Sequence, residues 1–343
     1  MKLDHIPPFY FPTMVMFVDD STDFLFNLSL QLDAMLAFRL YNSPADALRH
    51  LNSAGDRVPP PADCYSPYQN CDQLSLTHQV IDIDLDKIAR EVHNPFRFQQ
   101  VSVVVVDYHM PGIDGLEFCQ RIENPGVKKV LLTGKADEKV AVQAFNEGLI
   151  DRFIQKQDAD AIPNLNRAIT QLQWAYFQEV GQQLVDTLAP RSHAFLRDGA
   201  FAGLFRRLCA EMGAVEFYLR SVPEGLLLFD ANAQPSLLIV QTGEDLAAFD
   251  AVYGAPGEEG ALAGEGGAKK VRHFWEDRDV HGQALGNWQT CEFPAQEFRG
   301  RSHYYYALVS EPPGIAASPV LSYRSFIEQL DPRGWLPDDA LVR

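Results

Sequence analysis

Four short apolar runs in the first half of the chain each lead to a residue able to do chemistry. Met14 to Val18 ends in Asp19-Asp20, Val101 to Val106 in Asp107, and Lys129 to Leu132 in Thr133, while Phe153-Ile154 leads through Gln155 to Lys156. If the runs are parallel strands, their carboxyl ends share one edge of a sheet, where open α/β sheets carry their sites. Three carboxylates crowded there repel one another, and a hard divalent cation such as Mg²⁺ relieves that repulsion. Carboxylates with a cation, a hydroxyl and an ammonium suit phosphoryl transfer. That reaction needs an in-line nucleophile and neutralisation of charge building on the equatorial oxygens.

The segments between these runs have the pattern needed to position them. Ser21 can cap a helix whose broad apolar face is supplied by Phe24, Phe26, Leu28, Leu30, Leu32 and Leu36. Phe38 to Tyr41 reads as a second strand, and Ser43-Pro44 opens a helix to about Leu51. Helices are expected over Leu116 to Ile122 and Glu138 to Glu147, and a last strand over Arg152 to Ile154. Strands alternating with helices imply a doubly wound parallel sheet. The rhythm breaks from Asn52 to about Phe98, where Pro59-Pro60-Pro61 opens an insertion and Ile81 to Val92 reads as an added strand or short helix.

In order and spacing, these motifs resemble the response-regulator receiver family over about Met14 to Gln157. The resemblance is carried by Asp19-Asp20, by Asp107-Tyr-His-Met-Pro111-Gly-Ile-Asp-Gly115, by Thr133-Gly134 and by Lys156. It implies a five-stranded, flavodoxin-like α/β domain with Asp107 as the phosphoacceptor and nucleophile. It implies Mg²⁺ held by the Asp20 and Asp107 carboxylates, by Asp19 directly or through water, and by the His109 backbone carbonyl. Lys156 would pair with one phosphoryl oxygen and the Thr133 hydroxyl would bond another. Recruitment of Thr133 would then admit the Phe153 ring and switch the last strand and helix. The implied partner is a sensor histidine kinase or a histidine phosphotransfer protein. Three departures stand out: the 87-residue interval from Asp20 to Asp107, Gln157 where the family has proline, and Gly134-Lys135 where it more often begins with alanine.

From Ala159 to about Leu188 the chain reads as one long helix, stopped by Ala189-Pro190. Ile162, Leu165, Ile169, Leu172, Tyr176, Val180, Leu184 and Leu188 recur at steps of three and four, close to a coiled-coil seam. The expectation is a homodimer zipped through Ile162, Leu165, Ile169, Leu172, Val180 and Leu184. A second helical pattern runs through Phe201, Leu204, Phe205, Leu208, Met212, Val215 and Leu219. Strands follow at Leu226 to Phe229, Leu237 to Gln241, Val271 to Trp275, Asn287 to Phe293 and His303 to Val309, with a short helix Glu244 to Tyr253 among them. This α+β pattern, with Val-Pro-Glu-Gly225 before its first strand, resembles a PAS-type sensory domain. The expected organisation is a receiver over 1–157 with an insertion at about 54–100, a linker helix over 158–190, and an output or sensory domain over 191–343. That layout is similar to atypical regulators of α-hydroxyketone quorum-sensing circuits.

Composition narrows the remaining classes. The net charge is −17, and from Pro190 onward 14 basic residues face 21 acidic ones, so no basic stripe marks a nucleic-acid-binding output. No apolar run reaches the roughly 18 residues of a membrane span, and Met1 to Phe11 has no signal-peptide core. Five scattered cysteines suit reduced thiols in the cytoplasm. The glycine stretch Gly260 to Lys269 lacks the ending of a phosphate-binding loop, and Cys64, Cys71, His78 and His93 lack zinc-site spacing. No GG(D/E)EF, EAL, HD-GYP or Walker motif is present, so the output half carries no recognised catalytic motif. An enzyme acting on a nucleotide and a small-molecule sensor with scattered histidine ligands (His193, His273, His281, His303) are the competing readings.

Overall fold

The computed structural model describes residues 5–53, 64–67, 81–134, 137–188, 193–253, 270–278, 284–312 and 320–331. The triple proline, Cys71, His78, Lys135, the Ala189-Pro190 stop, the glycine stretch before Lys270 and His281 lie outside the described residues. In chain order the first elements are β1 (Phe9–Tyr10), β2 (Met14–Val18), α1 (Thr22–Ser29), β3 (Phe38–Tyr41), α2 (Pro44–Ser53), β4 (Tyr65–Pro67), β5 (Ile81–Ile83) and α3 (Asp86–Arg90). Then come β6 (Val101–Asp107), α4 (Gly115–Gln120), β7 (Lys128–Thr133), α5 (Glu138–Asn146), β8 (Arg152–Gln155) and α6 (Ala161–Leu188). The rest are α7 (Gly199–Met212), β9 (Ala214–Ser221), β10 (Glu224–Asp230), β11 (Pro235–Thr242), α8 (Gly243–Tyr253), β12 (Lys270–Arg278), β13 (Ala284–Pro294), β14 (Gln296–Arg299), β15 (His303–Ser310) and α9 (Tyr323–Gln329).

These elements form two compact units, each assembled from separate pieces of chain. One unit comprises Phe11–Pro59, Phe96–Val180 and Tyr323–Arg343, and the other Met1–Tyr10, Pro60–Pro95 and Gly181–Ser322. The divisions therefore do not fall at 157 and 190. The insertion and the N-terminal strand belong with the C-terminal sheet, and the last helix belongs with the receiver sheet.

The receiver unit is built on a parallel sheet of order β3-β2-β6-β7-β8, the arrangement expected of a doubly wound fold. Its central strand β6 is buried along its whole length, which is why its sequence is a near-continuous valine run. Val15, Phe17, Val103, Val105, Val130 and Leu132 pack with Leu25, Leu28, Leu165, Ile169 and Leu172 in one apolar cluster. Ser102 interrupts the run for a reason: its hydroxyl lies 2.5 Å from that of Thr13. Gln173 on α6 donates to both the Thr13 carbonyl and its hydroxyl at 3.1 Å, which fixes the register of the helix on the sheet.

This packing overturns the dimer-seam expectation for α6. Leu165, Ile169, Leu172 and Leu184 are 0–3% exposed within a single chain, and Tyr176 is 2% exposed. Ile162 packs against the receiver cluster and Val180 is partly buried. A three-four apolar spacing marks a buried helix stripe but does not say whose core it enters. Here the stripe belongs to the chain's own cores.

In the same unit, α9 lies against residues far from it in sequence. The Tyr323 and Phe326 rings stand 5.1 and 5.3 Å from that of Phe98. The Tyr323 hydroxyl donates to the Met35 carbonyl and accepts from the Ala37 N–H.

The second unit holds an antiparallel sheet of order β1-β9-β10-β11-β15-β14, and β12 and β13 form a separate two-stranded ladder. Thus the C-terminal half is α+β as expected, but its order corrects the PAS-type expectation, in which the first strand of the domain sits beside the last. Here β9 lies between β1 and β10, and β15 lies between β11 and β14. The second helical pattern also ends earlier than expected. Asp198 caps α7 through the Ala200 and Phe201 N–H groups, and Gly213 closes it in the left-handed region at φ 64°. Val215 and Leu219 consequently sit on β9. The insertion contributes the β4–β5 hairpin and α3, which packs on β9 with Ile88 fully buried. Pro8 carbonyl accepts from Leu219 N–H at 2.7 Å, and Phe9 and Tyr10 pair with Tyr218 and Phe217.

Candidate functional site

The carboxyl ends of the receiver strands bring the sequence-predicted residues together. Asp19 and Asp20 follow β2, Asp107 ends β6, Thr133 ends β7, and Lys156 follows β8. Carboxylate oxygens of Asp19, Asp20 and Asp107 lie within 4.8 Å of one another, with Asp20 exposed and the other two buried. Lys156 Nζ bridges Asp19 Oδ2 at 2.6 Å and Asp107 Oδ1 at 2.9 Å. Burial raises the Asp19 carboxyl above its usual range, opposed by the hydrogen bond and charge of Lys156. A hard, oxygen-rich, anionic cluster of this kind fits Mg²⁺.

Local backbone chemistry sets each group. Ser21 N–H donates to Asp19 Oδ1 at 2.9 Å, while the Ser21 hydroxyl accepts from Phe24 N–H at 3.2 Å and so caps α1. Lys156 N–H donates to the Thr133 carbonyl at 3.0 Å, tying the two strand ends together. The glycine ending the Asp107 motif is required by a close approach. A Cβ on Gly115 would stand 2.4 Å from the Asp107 carbonyl oxygen and 3.0 Å from Tyr108 Cα. Gly115 N–H donates to the Tyr108 carbonyl, and Asp114 caps α4 through Glu117 N–H at 2.8 Å.

The Thr133 side chain is fully buried, and its hydroxyl has no hydrogen-bond partner among the described residues. Among the described residues this buried hydroxyl is an unmet donor at the end of β7, the strand beside the one that ends in Asp107. Phe153 is partly buried on β8, with its ring 6.4 Å from that of Phe145. His109 follows Asp107 by two residues; its ring is exposed and Nδ1 is 3.4 Å from Asp137 Oδ2. Asp137 and Phe24 went unnoticed in the sequence as site residues. The Phe24 ring lies under Lys156, with Nζ 4.3 Å from its centroid. Only its place four residues after Asp20, on the first turn of the helix, could have signalled that.

Of the histidines weighed as sensor ligands, His193 Nε2 meets the Arg220 carbonyl at 3.2 Å and His303 Nε2 meets Glu297 at 3.0 Å. No described helix is long and apolar enough to cross a membrane.

Comparison with known proteins agrees with the geometry. The family described as response regulator receiver domain matches residues 71–165. The solved structure of the Legionella pneumophila response regulator LqsR is 39% identical, covers 95% of this chain and 97% of its own, and superposes with a TM-score of 0.76. Among curated proteins, the transcriptional regulatory protein FixJ of Bradyrhizobium diazoefficiens is 33% identical over 115 residues, or 31% of this chain and 55% of its own. The cyclic di-GMP phosphodiesterase response regulator RpfG of Xanthomonas campestris pv. campestris is 25% identical over 138 residues, or 34% of this chain and 36% of its own. The chain thus spans only about a third to a half of those two curated relatives. With the receiver edge assembled and a likeness running over nearly the whole chain, the protein belongs to the response-regulator family.

Proposed function

We propose that Asp107 receives a phosphoryl group from the phosphohistidine of a sensor kinase or phosphotransfer protein, and that the chain is thereby switched. The observation that carries this reading is the convergence of Asp19, Asp20, Asp107 and Lys156, with the Thr133 hydroxyl, at the end of the neighbouring strand, buried and without a partner among the described residues. An Asp107 oxygen forms the new O–P bond as the donor's P–N bond breaks; the imidazole leaves with the electron pair and takes up a proton. Asp19, Asp20, Asp107 and the His109 carbonyl would hold Mg²⁺, which neutralises charge on the transferring group when bound. Lys156 shifts from Asp107 to a phosphoryl oxygen, while the Thr133 hydroxyl donates to another. That movement of Thr133 draws Phe153 inward and changes the surface it shares with Phe145.

The output is proposed to be contact with a protein partner rather than with nucleic acid, in keeping with the acidic C-terminal half. A homodimer would have to use side chains other than the buried α6 stripe; Val140, Val142 and Phe145 on α5 are 39–41% exposed beside Phe153. The receiver insertion and acidic output half support a place in an α-hydroxyketone quorum-sensing circuit, which phosphotransfer from a kinase responsive to such a ligand would test.

The reading is tested by incubating wild type and Asp107→Asn with Mg²⁺ and a small phosphodonor, then reading intact mass and sedimentation. Wild type alone should gain one phosphoryl group. Equal incorporation by both proteins, or none by either, would overturn the assignment of Asp107.

A further inference from the structure

We infer that Phe24 is a positioning residue for Lys156, and that its ring face holds the ammonium over the carboxylate pair. The inference rests on the phosphotransfer reading of the site and adds a residue to it. Lys156 Nζ makes contacts of two kinds: Asp19 and Asp107 through ion pairs, and the Phe24 ring through its face at 4.3 Å. This distance and geometry are those of a cation–π contact, which strengthens as the site is desolvated.

The ring is not free to drift. Phe24 packs against the receiver's apolar cluster, and its backbone N–H is held by the Ser21 hydroxyl at 3.2 Å. Ser21 in turn holds Asp19 through its own N–H at 2.9 Å. One six-residue segment, Asp19 to Phe24, therefore supplies a carboxylate, a helix cap and an aromatic face in fixed relation to one another. The carboxylate and the ring converge on a lysine that arrives from the opposite end of the domain sequence. A long lysine side chain carries much rotamer entropy, and the two carboxylates alone cannot retain it once they turn to a cation. The ring is neutral and does not compete for metal, so it keeps the ammonium in place when the carboxylates are engaged elsewhere.

The test uses the full chain as wild type, Phe24→Leu and Phe24→Tyr, with lysine labelled with carbon-13 at the ε position. In the metal-free wild type the Lys156 ε protons should be shifted upfield by the ring current. Phe24→Tyr should keep that shift and Phe24→Leu should lose it, with the other lysine signals unmoved. With Mg²⁺ and a small phosphodonor, Phe24→Leu should lower the limiting rate of Asp107 phosphorylation by about two- to five-fold, the range a partly exposed cation–π contact yields. Phe24→Tyr should restore it, and the Mg²⁺ dissociation constant should stay within about twofold, because the ring touches no ligand oxygen.

A Lys156 signal that is unshifted in wild type, or unchanged in Phe24→Leu, overturns the positioning role whatever the rates are. Equal slowing in the leucine and tyrosine variants also overturns it, since a packing defect would act on both. If wild type takes up no phosphoryl group, the phosphotransfer reading fails, and the Lys156 spectrum still decides whether the ring holds the ammonium.

Discussion

Replacing Tyr323 by Phe removes one oxygen from a helix at the far end of the chain and should loosen the receiver sheet. The ring that remains can still pack against Phe98. What is lost is the hydroxyl that donates to the Met35 carbonyl and accepts from the Ala37 N–H at 3.1 Å. Ala37 is fully buried, and its own carbonyl accepts from Val15 N–H at 2.9 Å at the start of β2. Leaving that buried N–H without a partner costs about 1–3 kcal/mol. For a unit of this size, each kcal/mol lowers Tm by about 2–4 °C, so the receiver transition should fall by roughly 2–12 °C. Calorimetry alone could confuse the two units, because a multi-unit chain need not unfold in one step. Amide hydrogen exchange resolves them: Ala37 should lose protection in Tyr323→Phe while Leu226 to Leu228 in β10 keep theirs. If the Ala37 amide exchanges equally in both proteins, α9 does not close the receiver sheet and the reasoning is wrong.

Leu172→Ala should destabilise the receiver by about 2–5 kcal/mol, with the loss independent of protein concentration in denaturant titrations; a concentration-dependent loss would restore the dimer seam. Gly115→Ala should abolish phosphorylation of Asp107 while the chain stays folded, because the new Cβ meets the Asp107 carbonyl oxygen and Tyr108 Cα, backbone that cannot swing aside as the Leu131 side chain can; unimpaired uptake would show that this approach is slack. Burial holds the Glu224 carboxyl above its ordinary pKa, so its neutral form is favoured by folding. The associated stability is therefore fully present below the ordinary glutamate pKa and is lost as pH rises through the raised value. Glu224→Gln keeps an oxygen to accept from His193 N–H, the bond made at 2.8 Å in the native protein. It should raise Tm at neutral pH, with the gain shrinking in acid, and a gain that grows in acid would refute the sign.

The receiver was legible because each site residue follows an apolar run, and the run itself fixes where the strand ends. Val101 to Val106 could hardly be anything but a buried strand, so Asp107 had to stand at its tip. The same logic reached Asp19, Thr133 and Lys156. It failed where local pattern is silent about partners. Leu165, Ile169 and Leu172 have the spacing of a seam, yet spacing carries no information on whether the opposing surface belongs to the same chain. Val215 and Leu219 extended a helical period into β9, because a strand buried on both faces shows no alternation to contradict it. A two-residue strand such as Phe9–Tyr10 is too short to show any period. Phe24 read as one more apolar residue on α1, since nothing local reveals a lysine arriving from more than a hundred residues away.

The pairing of Phe9 and Tyr10 with Tyr218 and Phe217 also sets a timetable for biosynthesis. A ribosome adding about 5–20 residues per second makes the N-terminal strand wait roughly 10–40 s for its partner to be synthesised. During that wait two large aromatic side chains have no sheet to join, although the valine strand of the receiver has already emerged. A nascent chain stalled between these events would present Phe9 and Tyr10 to chaperones, and that interval is where expression yield should respond most to changes in translation speed.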